Sequence, residues 1–284
     1  EELARDQMQA IKDNQLITLR LAHKYYYYLN VTGVWFYNLT PVVVYYYNKW
    51  FTEEDVRFGF IWMSWYPVDK YQPKTHAIIY LFEMLVGQSC VWSVIGTDML
   101  FSVIASHISL MLRVLQTRLE AIGNTDCTEE ECYQEILANI KLHQRLIRYC
   151  NHLEEIFTVS NLGNVVMSCV NICVVLFVMT VYPLYNISTK IFFSSACIQV
   201  GMLCWYGDDI LRANGDVAES AYKSGWYKTS ARCRRTLLLL LVRSRKPIAF
   251  TAMKFTDMTL VTFSKCDGNV CRRLWSVIAL IVTL

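Results

Sequence analysis

The 284-residue sequence predicts an all-α, multi-span membrane helical bundle, and three observations carry that prediction. Hydrophobic residues make up 54% of the chain and charged residues 18%, against roughly 45–50% and about 25% in soluble domains. Uncharged or nearly uncharged stretches long enough for a helix to cross hydrocarbon, which takes about 20 residues, recur along the chain. Lys and Arg gather in alternate connecting segments, the asymmetry that marks the cytoplasmic face of membrane proteins.

Residues 1–24 are polar and charged, with a broken apolar stripe at Ile11, Leu16, Leu19 and Leu21. They read as a helix in a cytoplasmic loop. The chain begins at Glu1 and this stretch has no leader pattern, so a partial chain is expected. Residues 25–47 contain no charge and read as a first span, with Tyr25 to Tyr28 and Tyr45 to Tyr47 as interfacial belts and Pro41 as a kink. Residues 48–76 are mixed in charge and read as an extracellular loop. Residues 77–112 read as a second span, interrupted by Glu83, Asp98 and His107. Ionisable groups in a span face protein or water rather than lipid. Glu83 reads either as a pocket or pore-side group or as an interfacial carboxylate at the outer helix end.

Residues 113–156 form a charged cytoplasmic helical loop, with periodicity through Leu137, Ile140 and Leu146. Residues 157–185 form a span longer than a bilayer requires, so it should tilt or protrude. Residues 191–207 form a short one, closed by Asp208 and Asp209. Residues 208–248 read as a basic cytoplasmic hairpin, and residues 249–284 as a final span with an atypical tail. In that last helix Lys254 and Asp257 would share a face. Cys266-Asp-Gly-Asn269 and Arg272-Arg273 then interrupt the apolar run, each charge costing roughly 2.5–3.5 kcal/mol at mid-membrane. Residues 266–284 are therefore expected to be an alternative or misread end.

The inside segments hold nineteen Lys and Arg: four in 1–24, five in 113–156 and ten in 208–254. The outside segments hold five: four in 48–76 and Lys190. Residue 1 is therefore placed in the cytosol, and the Asn186-Ile-Ser188 sequon outside, where glycosylation is open to it.

The sequence carries no phosphate-cradling Gly loop, no His-Glu-x-x-His and no Gly-x-Ser-x-Gly. Ser220 and Lys223 match Ser-x-x-Lys without its partner motifs. Catalysis is not expected, nor any cofactor. Cys127 and Cys132 have no second pair to complete a metal site. Most of the eleven cysteines lie in apolar or cytosolic segments and the two outside loops hold none, so no disulfide framework is expected. A net charge of +3 gives no reason to propose nucleic acid; membrane lipid is the expected surrounding.

From 224 to 265 the ordered elements Gly225-Trp226, Arg235-Thr236 before a Leu run, Arg245-Lys246-Pro247 and Thr262-Phe263 resemble the C-terminal signature of insect odorant receptors. Asp98-Met-Leu-Phe101 followed by His107 resembles the same family. The resemblance implies seven spans with a cytosolic N-terminus, of which this chain would supply the third to seventh. That orientation agrees with the charge count. It further implies a ligand-gated cation channel: a hetero-tetramer with an odorant receptor co-receptor, in the plasma membrane of olfactory sensory neurons, opened by small volatile odorants.

In the family the ligand pocket lies among the second, third, fourth and sixth spans. Depth and helix assignment then nominate Tyr37, Tyr45, Ile79, Tyr80, Glu83, Gln88, Phe193 and Ser194 as ligand-binding. The carry-over to the cytoplasmic anchor and pore helix covers Trp226, Arg235, Lys246, Pro247, Thr262 and Phe263. The tail after Lys265 departs from the family pattern, so the gate-bearing end is not carried over. A gustatory-receptor-like channel subunit would show Thr-Tyr then Gln-Phe in its last helix, which Thr262-Phe263 does not match. A transporter would show an internal repeat with paired broken helices, and none is visible.

Overall fold

A computed structural model describes residues 2–51, 58–62, 64–69, 72–123, 128–181, 187–246, 251–252 and 256–257. Five helices carry these residues: α1 (Glu2–Phe51), α2 (Pro73–Ala121), α3 (Glu129–Val181), α4 (Ile187–Lys223) and α5 (Ala231–Ser244). A single 3-10 turn, Trp226–Lys228, joins α4 to α5. The expected all-α bundle is borne out.

Helix ends do not fall where charge changes. The 50 residues of α1 run without interruption from the charged stretch through the uncharged one and past Pro41. At 1.5 Å per residue α1 is about 75 Å long, more than twice the hydrocarbon thickness of about 30 Å. The charged region 113–156 divides between the end of α2 and the start of α3, with a turn between them.

That turn has two local causes. Thr128 and Glu131 form a capping box at the start of α3: the Glu131 carboxylate accepts from the Thr128 N–H (2.9 Å) and hydroxyl (2.8 Å). These bonds hold the Glu131 carboxyl below its usual range. On the other side, α2 ends at Ile122 and Gly123, where Gly123 has φ +75°. This left-handed conformation suits glycine.

Below the apolar segments the core repeats at alternating steps of three and four. On α2 the buried positions are Phe101, Ala105, Ile108, Leu112, Leu115 and Leu119; on α4 they include Leu203, Tyr206, Ile210, Ala213 and Val217. On α3 they are Cys132, Ile136, Asn139, His143, Leu146, Cys150, Leu153 and Phe157. A 3.5-residue repeat keeps one seam facing a neighbouring helix along its length. α2 and α4 form the central pair; α1 and α3 flank both, and α5 packs on α3 and α4.

Nearer the outer end the distribution inverts. α2 and α3 are each long and apolar enough to cross a membrane, and only 17% and 28% of their apolar windows is buried. Ile78, Leu81, Phe82, Leu85 and Leu100 of α2 and Val166, Met167, Val170 and Val174 of α3 face outward. Inside lie Glu83, Asp98, Asn38, Asn161 and Ser168. A polar interior beneath an apolar exterior suits lipid as the surrounding solvent.

The expected final span, 249–284, lies outside the described residues apart from four. Thr251–Ala252 and Thr256–Asp257 pair as a short antiparallel β1–β2 ladder where a helical turn was expected. Two β-branched threonines favour extended backbone there.

Candidate functional site

Aromatic rings bind the outer ends of α1 and α2 to the loop between them. Phe58 lies 5.0 Å from Tyr45, 5.0 Å from His76 and 5.6 Å from Tyr80, ring centre to ring centre. Phe60 lies 4.3 Å from His76. Trp62 lies 5.2 Å from Tyr37 and covers Gly87, where an added Cβ would stand 3.5 Å from the indole. Tyr80 donates its hydroxyl to the main-chain carbonyl of Asn38. Edge and tilted ring contacts of this kind add about 0.5–1.5 kcal/mol each beyond buried area.

Glu83 fastens the loop. Its Oε2 accepts from the N–H of Ile61 (2.9 Å) and Trp62 (3.1 Å), and its Oε1 from the Tyr66 hydroxyl (2.9 Å). The side chain is buried beneath the loop, a geometry that neither a pocket-facing nor an interfacial carboxylate describes. Glu83→Ala leaves the buried Ile61 N–H, the part-buried Trp62 N–H and a phenol without an acceptor, a cost of about 3 kcal/mol. The expected result is faster protease cleavage within 58–66 on intact cells and a lower thermal midpoint. Tyr66→Phe, which loses one bond, is expected to show about a third of that cost.

Of the nominated ligand-binding residues, Tyr37, Tyr45, Ile79, Tyr80 and Glu83 gather at this outer cluster. Ile79 is buried, Tyr45 and Tyr80 are half-buried and Tyr37 is exposed beside Trp62. Gln88 is half-buried on α2, below Glu83. Phe193 and Ser194 are half-buried on α4. There α4 meets α1 deeper in the bundle: a Cβ on Gly33 would stand 3.2 Å from Ile191, and Ser195 donates to Asn30 Oδ1 at 2.7 Å.

Beneath the cluster four helices meet at one carboxylate. Asp98 of α2 accepts from Tyr26 of α1 (2.7 Å) and Gln199 of α4 (2.8 Å) on Oδ2, and from Asn164 of α3 (3.0 Å) on Oδ1. Tyr26 is 1% exposed whereas its neighbours Tyr25 and Tyr28 are exposed, so the belt reading fails for Tyr26. A helix turns 100° per residue, so one ring of a run of four can point inward while others face lipid.

At the opposite end of the bundle, further polar contacts tie α2 to α4. Ser109 and Arg113 bind Asp209, Gln116 donates to the Ala213 carbonyl at 2.6 Å, and Ser220 donates to Glu120 at 2.9 Å. Trp226 packs near Tyr222 and Tyr227, and Arg235 and Lys246 are exposed. Pro247, Thr262 and Phe263 lie outside the described residues. Asn214 of α4 holds the end of α5: its Nδ2 reaches the carbonyls of Ser244 (3.5 Å) and Lys246 (3.4 Å), while its Oδ1 lies 3.2 Å from His143 Nε2.

Burial, aided by the nearby Arg243 charge and opposed by the Asn214 bond, holds the His143 imidazole below its ordinary value of 6.5. The unfolded chain therefore takes up a proton first as pH falls. Stability from this junction is full above about pH 6.5 and declines below it. The thermal midpoint of the purified protein is expected to fall between pH 7 and 5.5, and His143→Gln to flatten that part of the profile.

The loop aromatics Phe58, Phe60 and Trp62, the Asp98 node and Asn38 were not nominated from sequence. Asp98 was visible as a charge inside a span. The others carry no local signal, because their roles arise from contacts between distant segments.

A family profile described as 7tm Odorant receptor matches residues 1–269; residues 270–284 lie beyond it. Putative odorant receptor 85d of Drosophila melanogaster is 25% identical over 248 residues, which are 85% of this chain and 59% of that protein. Odorant receptor 67c of the same fly is 27% identical over 215 residues, 74% of this chain and 52% of that protein. The chain thus spans little more than half the length of these relatives. The insect olfactory receptor OR5 from Machilis hrabei, solved in complex with eugenol, superposes with a TM-score of 0.83 at 16% identity, covering 98% of this chain and 70% of that one. The resemblance read from residues 224–265 is borne out across most of the sequence, and this chain belongs to the 7tm odorant receptor family.

Proposed function

We propose that this chain is the odorant-binding subunit of a ligand-gated cation channel, assembled with an odorant receptor co-receptor as a hetero-tetramer in the plasma membrane of olfactory sensory neurons. Family membership over residues 1–269 carries the reading. The outer aromatic cluster supports it, offering a largely apolar surface with few polar groups, the composition expected of a small-molecule site. Tyr37, Tyr45, Ile79, Tyr80, Gln88, Phe193 and Ser194 are the proposed ligand contacts, and Glu83 holds the loop above them.

Gating in this reading is a population shift between two bundle arrangements, which a ligand drives only as far as it prefers one of them. Asp98 joins α1 to α4 below the cluster, and Asn214 joins α4 to the end of α5. A change at the outer cluster is thereby linked to the end of α5. Trp226, Arg235, Lys246, Pro247, Thr262 and Phe263 are the proposed anchor and pore-helix residues.

The test is odorant-evoked current in cells expressing the full-length receptor with and without the co-receptor. Co-receptor-dependent current supports the proposal. Stoichiometric odorant uptake without current would defeat it in favour of a transporter.

A further inference from the structure

Among the described residues, the outer half of the bundle holds one buried side-chain donor that no other described residue accepts from. Asn38 is 2% exposed on α1, and its Nδ2 has no hydrogen-bond partner among the described residues. Three other buried side-chain atoms share that condition: Gln15 Oε1, Arg113 Nε and Asn139 Nδ2. All three lie toward the opposite end of the bundle. Around Asn38 the polar groups are engaged: Tyr80 donates to the Asn38 carbonyl, the loop occupies Glu83, and Asn30 bonds both Tyr26 and Ser195. Buried amide donors are rarely left unmatched in native proteins, so this one is a place for an acceptor that the described residues do not supply.

Resting on the odorant-binding reading, we infer that Asn38 Nδ2 is the polar contact of the ligand site, and that the ligand is a small apolar volatile bearing a carbonyl oxygen: a ketone, ester or aldehyde. An N–H group matches a carbonyl acceptor and leaves no new polar atom unpaired. A hydrocarbon leaves the amide unmatched. An alcohol accepts from it but brings an O–H that must itself find an acceptor inside an apolar site. The rings of Tyr37, the preceding residue on α1, and Tyr80, whose hydroxyl reaches the Asn38 carbonyl, suit the hydrocarbon remainder. The order of sensitivity is therefore carbonyl compound, then alcohol, then hydrocarbon. A site that hydrogen-bonds its ligand discriminates more strongly against an analogue lacking the group than an apolar slot does against a lost methylene.

Length-matched methyl ketones, acetate esters, primary alcohols and terminal alkenes are applied to cells expressing the full-length receptor with its co-receptor. Asn38→Leu removes the donor at similar volume; it is expected to reduce sensitivity to the ketone or ester on the order of tenfold and to abolish its advantage over the alkene. Asn38→Asp, an acceptor of the same shape, is expected to favour the alcohol. Asn38→Ser keeps a donor and is expected to keep the carbonyl preference at normal surface abundance. Equal shifts for ketone and alkene in Asn38→Leu, or loss of the preference in Asn38→Ser, would overturn the assignment while leaving the receptor reading intact. No current from the wild type with any compound would overturn both.

Discussion

Asp98→Ala is expected to reduce the stability of the solubilised receptor by about 3–5 kcal/mol, seen as a much lower thermal midpoint and lost surface expression. The magnitude follows from what remains. Tyr26 would keep a buried donor and Asn164 and Gln199 part-buried ones, and each orphaned donor costs up to about 1–3 kcal/mol before relaxation. Asp98→Asn is expected to be much milder. Its carbonyl can still accept from Tyr26 and Gln199, and its new amide faces Asn164, whose own amide can turn to present oxygen. Asn164→Leu in the Asp98→Asn background removes that rescue, so the double variant should lose more than the single losses sum to. Equal midpoints for Asp98→Ala and wild type would show that the node contributes nothing.

Gly123→Ala is the second large effect. At φ +75° an added Cβ would stand 2.4 Å from the Gly225 carbonyl oxygen, well inside contact distance. The methyl group must either force the turn out of its left-handed conformation or push away the 224–226 segment, whose Gly225 N–H bonds the Ile122 carbonyl at 2.8 Å. A loss of about 3 kcal/mol or more is expected: about 1–2 from the backbone conformation, the remainder from the displaced contact. Gly215→Ala is the control. Gly215 lies within α4 with open space where its Cβ would be, so alanine should stabilise by about 0.5–1 kcal/mol. Opposite signs at two glycines in one protein separate a steric requirement from a general intolerance of change.

The legible part of the fold was what depends on composition averaged over many residues. Uncharged stretches located the apolar segments of α1 to α4. Helix ends were less visible. Gly123-Asn-Thr-Asp126 is a strong turn signal, yet the charged residues around it merged it into one cytoplasmic stretch. In α3 two of the three periodic positions were read one residue off: Ile136 and Asn139 are buried where Leu137 and Ile140 are half-buried, whereas Leu146 is buried as expected, with His143 one turn before it. Asn139 and His143 are polar, and an apolar pattern does not register polar groups that occupy a core seam. The candidate site was legible at the level of depth and helix, which placed Tyr45, Ile79 and Tyr80 together. It was not legible in its polar detail. Glu83 is explained by a loop some twenty residues earlier, and Asn38 by what fails to reach it, neither of which any window of sequence contains.

The position of the Asp98–Gln199 bond along α4 has a mechanical meaning. About 12 residues of α4 lie before Gln199 and 24 after it, arms of about 18 Å and 36 Å at 1.5 Å per residue. If the bundle holds α4 at that point as a fulcrum, the helix is a lever of ratio two. A shift of about 1 Å at Ile187 then becomes about 2 Å at Lys223, just before the 3-10 turn.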